Sequence, residues 1–495
     1  MSYILAIDQG TTNSKAIIFD RSSQMIAQHE KQLTQYFPHD GWVEQDPQEM
    51  LTNTLECCRA TLTKANIAAN QIAAIGIANQ RETTIIWNRE TGKPIYHAIV
   101  WQDRRTTDIC RHLAHQKIYQ YIRKVTGLLL DPYFSATKIM WILDNVPHAR
   151  QLAEEQKLLF GTVDTFLLWK LTNGQSHATD ITNASRTLLF NIETQQWDKH
   201  ILQTLNIPES LLPNVKDNTA NFGHVAEEFF GTSIPIAGMA GDQQAATIGQ
   251  ACFTPGDIKA TYGTGCFMLL NTGETLTHSS NQLISTIAYR INGKISYGLE
   301  GSIFSAGETI KWLRDTLKII ERAEDTEAIA NKIPDTDGVY LVPAFTGLGA
   351  PYWEPEARAA ILGLTRNSNR DHIVRAALEC VAYQTRDLLG SMLVDYKVGF
   401  ETLRVDGGMT TNNWLLQFLS DMLDSNIERP HCIETTALGA AYLAGLQVGI
   451  YQTLEEITNM WKMHKRFQPL MSKYQREYLY QGWKQAVQCV IKNKI

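Results

Sequence analysis

The stretch ILAIDQGTTNSKAIIFD, Ile4 to Asp20, constrains this chain more than any other. Two short β-branched apolar runs, ILAI and AIIF, each predict a buried strand. Between them lies a polar turn with one acid, Asp8, one glycine, Gly10, and then Thr11, Thr12, Asn13, Ser14 and Lys15. A plain hairpin needs only Asn-Gly or Asp-Gly at its tip. The same order of strand, Gly/Thr turn and strand returns past the midpoint as IKATYGTGCFMLLNT, Ile258 to Thr272. Such a repeat predicts two related halves, 1–250 and 251–495, with a cleft between them. Three Gly/Thr-rich turns would face that cleft: Asp8 to Thr12, Tyr262 to Gly265, and Asp406 to Asn412. Elsewhere strand-to-loop passages such as QIAAIGIAN and ETLRVDGGMTTN alternate with helical patterns such as HIVRAALECVAYQTRDLLGSML. The fold class expected is α/β.

The turns have a chemistry in common. Gly-rich backbone aims N–H groups at phosphate oxygens, and Thr hydroxyls add donors. Lys15 supplies a cation. Asp8 beside a phosphate is repulsive unless a divalent ion lies between them, and Mg²⁺ bridges carboxylate to phosphate in this way. One such turn alone fits an ordinary hairpin with a capping Asp equally well; three together favour nucleotide binding. The chain has no G-x-x-x-x-G-K-[ST], no complete G-x-G-x-x-G and no H-R-D loop. P-loop, dinucleotide-fold and protein-kinase chemistry are therefore unsupported.

Composition narrows the partners. The 495 residues are 44% hydrophobic and 19% charged, with a net charge of −6 and no basic block. Nucleic acid is not an expected partner. No run of about 18 apolar residues is present, so no integral membrane segment is expected. The start MSYILAIDQG lacks a basic n-region and enters a strand at once, so no signal peptide is expected there. Eight scattered cysteines without a C-x-x-C pair predict reduced thiols and a cytoplasmic location. Cys110, His112 and His115 have metal-like spacing, but they lack a fourth ligand and are expected as exposed residues of a polar helix.

A second set of polar residues accompanies the turns. In GMAGDQQAATIGQ, Asp242 stands between a strand end and a helix-like run, where it is either a helix cap or a functional carboxylate. NQRETTIIW places Arg81 and Glu82 side by side after a strand; IVWQDRRT offers Trp101, and DPYFSATKIMWILDN offers Tyr133. Each alone has an ordinary reading as an ion pair or a packed ring.

At these residues the chain resembles a known family. YFSATKIMWILDN and AAILGLTRNSNRDHIVRAALE are similar to the two signatures of the FGGY carbohydrate kinases. These are two-domain enzymes of the actin/Hsp70/hexokinase superfamily, with RNase H-like halves and a nucleotide and substrate cleft between them. NQRETT, AGDQQAA, TNASRT, YGTGCFML and RVDGGMTTNNWLLQF resemble the branch that phosphorylates glycerol, and the likeness runs from residue 8 to about 446. The resemblance implies ATP-dependent phosphorylation of glycerol to sn-glycerol 3-phosphate, Mg²⁺ as cofactor, and a homodimer or homotetramer. It implies that Asp8 organises Mg²⁺ and that Thr11, Thr12, Asn13 and Lys15 meet the ATP phosphates. Thr264, Gly265 and Gly307 would hold the phosphates from the second half, with Lys311 near the nucleotide, while Gly408 and Asn412 would seat adenosine. Arg81, Glu82, Tyr133, Asp242 and Gln243 would bind glycerol hydroxyls, with Asp242 as general base. Trp101 and Phe267 would sandwich the carbon chain. Another polyol or pentulose kinase of the family, or a nucleotide-driven switch like actin or Hsp70, stays open as an alternative.

Departures from the family pattern carry expectations of their own. TTNSK stands where relatives carry T-T-S-S-R, and Lys15 lacks the bidentate fork of arginine. Lys311 stands where relatives often have Gln. The stretch VAEEFFGTSIPI, Val225 to Ile236, has Ser233 and a single glycine where some relatives bind fructose bisphosphate through G-G-K-G-G-T-R. Glu228 replaces the histidine that other relatives phosphorylate, and Gln475 replaces a zinc-binding glutamate used to dock a phosphocarrier. All three controls are expected to be missing.

Overall fold

A computed structural model describes residues 2–354, 356–397 and 399–492. Two twisted sheets organise it. The first contains β1 (Tyr3–Gln9), β2 (Asn13–Phe19), β3 (Met25–Gln32), β4 (Ile72–Asn79), β5 (Thr219–Val225) and β6 (Ile234–Gly241), in the order β5-β6-β4-β1-β2-β3. The second contains β7 (Ile258–Tyr262), β8 (Cys266–Gly273), β9 (Ile284–Ile291), β10 (Lys294–Ile303), β11 (Thr402–Asp406), β12 (Asn426–Pro430) and β13 (Met463–Phe467), in the order β9-β10-β8-β7-β11-β12-β13.

The repeat seen in the sequence is a repeat of topology. β1 and β2 form an antiparallel hairpin extended by β3, and β4 and then β6 add in parallel on the other side of β1. In the same way β7 and β8 form an antiparallel hairpin extended by β10, and β11 and β12 add in parallel beside β7. Parallel strands need crossover segments and must be covered on both faces. This explains the near-continuous burial of β1, β4 and β6.

Helix α1 (Pro47–Ala65) covers β2 and β3, entered through Asp46, whose side chain accepts the Gln48 N–H. Helix α2 (Asp242–Gly249) follows β6 directly. Helix α3 (Arg370–Tyr396) is capped by Asn369 and covers the second sheet. Helix α4 (Thr435–Gln447) leaves β12 but packs on β1, β4 and β6 of the first sheet and against α2. Small residues allow this: a Cβ on Gly76 would lie 2.0 Å from the Ala440 carbonyl oxygen, and one on Gly439 1.8 Å from that of Ala245. The two halves are therefore locked along α2 and α4.

One expectation needs correction here. Cys110 does not share the exposure of its neighbours: the helix Thr107–Ala114 turns it into the core, leaving His112 and His115 outside. A helical face separates residues two apart, and the thiol packs as a small hydrophobe.

Candidate active site

The first hairpin tip and the ends of β4 and β6 bring the polar residues together. Arg81 and Glu82 follow β4 in a tight three-residue turn, closed by the Thr83 N–H donating to the Arg81 carbonyl at 2.7 Å. Glu82 sits at its centre with φ of +61°, a conformation that costs a non-glycine residue about 1–3 kcal/mol. The strain is held in place because the Glu82 carbonyl accepts the Ser135 and Thr84 hydroxyls. Asp242 opens α2 and is 29% exposed at the side chain; its Oδ1 lies 3.1 Å from Arg81 Nε and accepts the Gln243 N–H. Burial pushes its carboxyl above the ordinary value, against the pull of Arg81 and Lys259. Tyr133 lies 3.5 Å from Arg81 Nη2.

Two rings from opposite halves roof this group. Trp101 meets Phe267 of β8 at 6.0 Å between centroids, and their planes cross at 76°. The rings therefore meet edge to face, and a carbon chain between parallel faces requires them to part and turn. Trp101 also donates from Nε1 to the Thr11 hydroxyl at 2.9 Å, which ties the roof to the phosphate turn.

The turns assemble as well. Gly307 donates its N–H to Gly263, and Gly263 donates to the Gly265 carbonyl. Met409, beside Gly408, lies close to Gly307, and Gly407 packs on the Tyr262 backbone with φ of +91°. Thr264 gives its carbonyl to the N–H groups of Ala306 and Glu308, and Thr12 gives its own to Leu33. Asn412 is committed to structure: its Oδ1 caps the helix Asn413–Leu423 and its amide donates to Thr326. Lys311 stands exposed on the helix Gly307–Asp315, 3.9 Å from Glu308.

Lys15 points to a carboxylate. Its Nζ lies 2.8 Å from Glu434 and 3.6 Å from Glu30, which Asn13 also approaches at 3.5 Å. Asp8 is pushed up to about 7 by burial, with Lys15 opposing and Glu434 and Asp242 adding to the rise. This excess of acid fits a divalent cation. Among the described residues no three His, Cys, Asp or Glu gather into a cage. Mg²⁺ takes one or two carboxylates and fills its remaining positions with water and phosphate oxygens.

Sequence reasoning missed five residues of this site: Arg186, Gln244, Lys259, Glu300 and Glu434. Arg81 hydrogen-bonds Glu300 from both terminal nitrogens and Gln244 at 3.2 Å. Arg186 joins Glu82 at 2.6 Å to Glu300 at 2.9 Å. Lys259 donates to the Gln243 side-chain oxygen at 2.5 Å and to Thr261 at 2.9 Å. The available signal was a charge in the middle of an otherwise buried strand, Lys259 in IKATY and Glu300 in KISYGLEGSI.

Two halves of one topology, a Gly/Thr turn on each and a carboxylate at a strand-to-helix junction beside them are the arrangement expected of a two-domain phosphotransferase. The chain belongs to the FGGY family of carbohydrate kinases: the family's N-terminal domain matches residues 3–249 and its C-terminal domain residues 258–448. Within that family it groups with the glycerol kinases. It is 57% identical over 489 residues to the glycerol kinase of Coxiella burnetii (strain RSA 493 / Nine Mile phase I), covering 98% of this chain and 97% of the relative. It is 56% identical over 485 residues to that of Marinomonas sp. (strain MWYL1), with 98% of each covered. The crystal structure of Plasmodium falciparum glycerol kinase with ADP superposes with a TM-score of 0.92 at 40% identity, over 99% of this chain and 98% of that one. Gluconate kinase from Lactobacillus acidophilus shares the fold, with a TM-score of 0.88 at 21% identity over 100% of this chain and 99% of that one. Among the described residues no helix is long and apolar enough to cross a membrane.

Proposed function

We propose that this chain transfers the terminal phosphoryl group of ATP to the 3-hydroxyl of glycerol, with Asp242 as the general base. The observation that carries the reading is the polar set of Arg81, Asp242, Glu82 and Tyr133 beneath the Trp101–Phe267 roof, donors and acceptors gathered beside apolar rings as a polyol requires. A buried hydroxyl without a partner is costly, so such a pocket selects a ligand whose hydroxyls it can pair.

Asp242 takes the proton of the attacking hydroxyl, the oxygen forms the new P–O bond, and ADP leaves. A carboxyl raised by burial is a stronger base than an exposed one, which suits it to a poorly acidic alcohol. Glu82 accepts from the remaining hydroxyls, Arg81 donates to one by giving up its long contact to Tyr133, and Gln243 offers its amide N–H because Lys259 occupies its oxygen. Thr11, Thr12, Asn13, Thr264, Gly265 and Gly307 line the phosphate path, with Lys311 near the nucleotide and Gly408 and Asn412 at the adenosine end. Lys15 reaches phosphate by exchanging Glu434 for it. Asp8 would hold Mg²⁺, which supplies charge neutralisation on the phosphates when bound. The acid excess around Asp8 supports that assignment. The domains divide near residue 250, supported by the separate sheets. We assign the enzyme to the cytoplasm, consistent with eight unpaired cysteines, and to a homodimer or homotetramer on the family resemblance.

A coupled ADP-release assay with Mg-ATP over glycerol, xylulose, ribulose and erythritol tests the reading. Turnover is expected with glycerol far above the others. Preference for a pentulose, or ATP hydrolysis indifferent to every polyol, would overturn it.

A further inference from the structure

Resting on the glycerol-kinase reading, we propose that Glu300 is a positioning residue for the reaction: from the second sheet it fixes Arg81 and Arg186 and so keeps Asp242 free for the substrate hydroxyl.

Glu300 sits on β10 with a strand paired on each side, opposite Leu269 of β8 and Ile284 of β9. Its backbone is thus held by hydrogen bonds on both edges, a rigid base for aiming a side chain. The carboxylate is buried, 1% exposed, and crosses to the first half. There it accepts from both terminal nitrogens of Arg81 and from Nη2 of Arg186. Burial alone would raise this acid, yet Arg186 and Arg81 outweigh it and hold the carboxyl down at about 2. Glu300 is therefore ionised throughout the working range.

The donor count of Arg81 shows what this arrangement does. Its two terminal nitrogens carry four N–H groups. Glu300 engages both nitrogens, Gln244 takes a further bond at 3.2 Å, and Tyr133 makes a long one at 3.5 Å. Only the Nε edge faces Asp242, at 3.1 Å and without a hydrogen bond of good geometry. If Glu300 let go, the terminal nitrogens would swing to the nearest carboxylate and clasp Asp242 in a two-point pair. Both oxygens of the base would then be engaged, and its basicity would fall.

A second feature of the sheet supports the assignment. Lys259 of β7 pairs with the same Leu269 that pairs with Glu300, so the two charges lie on one row across three strands. Lys259 holds Gln243, the residue after Asp242, while Glu300 holds Arg81, the residue beside Asp242 in space. The second half thus grips the base from both sides with opposite charges.

The experiment compares the parent with Glu300→Gln and Glu300→Asp in steady-state glycerol phosphorylation, with ADP affinity and thermal unfolding as checks on folding. Glu300→Gln removes the charge and one acceptor; kcat is expected to fall about 100-fold, the cost of misplacing a reacting group by about an ångström. KM for glycerol should rise with it while KM for ATP stays within about threefold. Glu300→Asp keeps the charge, shortens the reach and should fall between. A folded Glu300→Gln with kcat and glycerol KM within about threefold of the parent would overturn the proposal. So would equal loss in both variants with KM for ATP raised alongside, which marks a merely structural role. Should Glu300→Gln not fold, parent-like kinetics in Glu300→Asp are equally decisive. Absence of glycerol turnover in the parent would instead refute the glycerol reading itself.

Discussion

Replacing Asp242 with Asn separates chemistry from stability in one residue. Asn keeps the size of the side chain and can accept from the Gln243 N–H as Asp242 does. Arg81 loses an ionic contact at 3.1 Å but keeps Glu300 and Gln244, so the pocket should hold its shape. What disappears is the ability to take a proton. A positioned general base contributes about 10²–10⁴-fold, or roughly 2.7–5.5 kcal/mol of barrier. Asp242 also contacts the residue that would bind substrate, so the upper end of that range is expected in kcat. Stability should move the other way. Burial raises the folded-state carboxyl above its unfolded value, so the folded state holds the proton more tightly. This contribution favours folding at acid pH and is lost as pH rises from the unfolded value through the folded one. Above its folded-state pKa the parent holds a partly desolvated charge that Asn lacks, and there Asp242→Asn should be at least as stable as the parent. Stopped-flow or coupled assays give kcat, and urea unfolding at pH 5 and pH 8 gives stability. A kcat within about tenfold of the parent would refute the base assignment. A variant clearly less stable at pH 8 would refute the desolvation argument.

Trp101→Ala should raise glycerol KM and admit larger polyols. Trp101→Phe should keep the wall and lose only the bond to Thr11, so a shift in ATP KM in both variants would trace that bond. Lys259→Met removes a buried ammonium whose pKa burial lowers, and it frees the Gln243 oxygen; glycerol KM should rise about tenfold without loss of unfolding temperature. Gly439→Ala drives a methyl against the Ala245 carbonyl and should cost at least about 1–3 kcal/mol in urea unfolding, with the two halves loosened along α2 and α4. Fructose bisphosphate, the phosphorylated histidine carrier and the glucose-specific carrier should each leave turnover unchanged. A clear response to any one of them would show a control that Ser233, Glu228 and Gln475 do not carry.

What the sequence determined by itself is local and periodic. ILAIDQGTTNSKAIIFD specifies two buried strands and a tip, because continuous apolar runs and β-branching act within a few residues. The second hairpin follows by the same rule, and Asp242 is fixed at a strand-to-helix junction by its immediate neighbours. The family resemblance then named the candidate site residues. The partners of those residues were a different matter. Arg81 and Glu300 are separated by 219 positions, and Lys15 and Glu434 by 419. No local propensity relates such positions. Buried charges must find opposite charges, and which ones meet depends on how the two sheets are brought together along α2 and α4. Asn412 shows the same limit, because its side chain is claimed by a helix end and by Thr326 from another segment. The tertiary structure decided the orientation of the Trp101 and Phe267 rings as well, for they come from separate halves and their angle is set only when the halves meet.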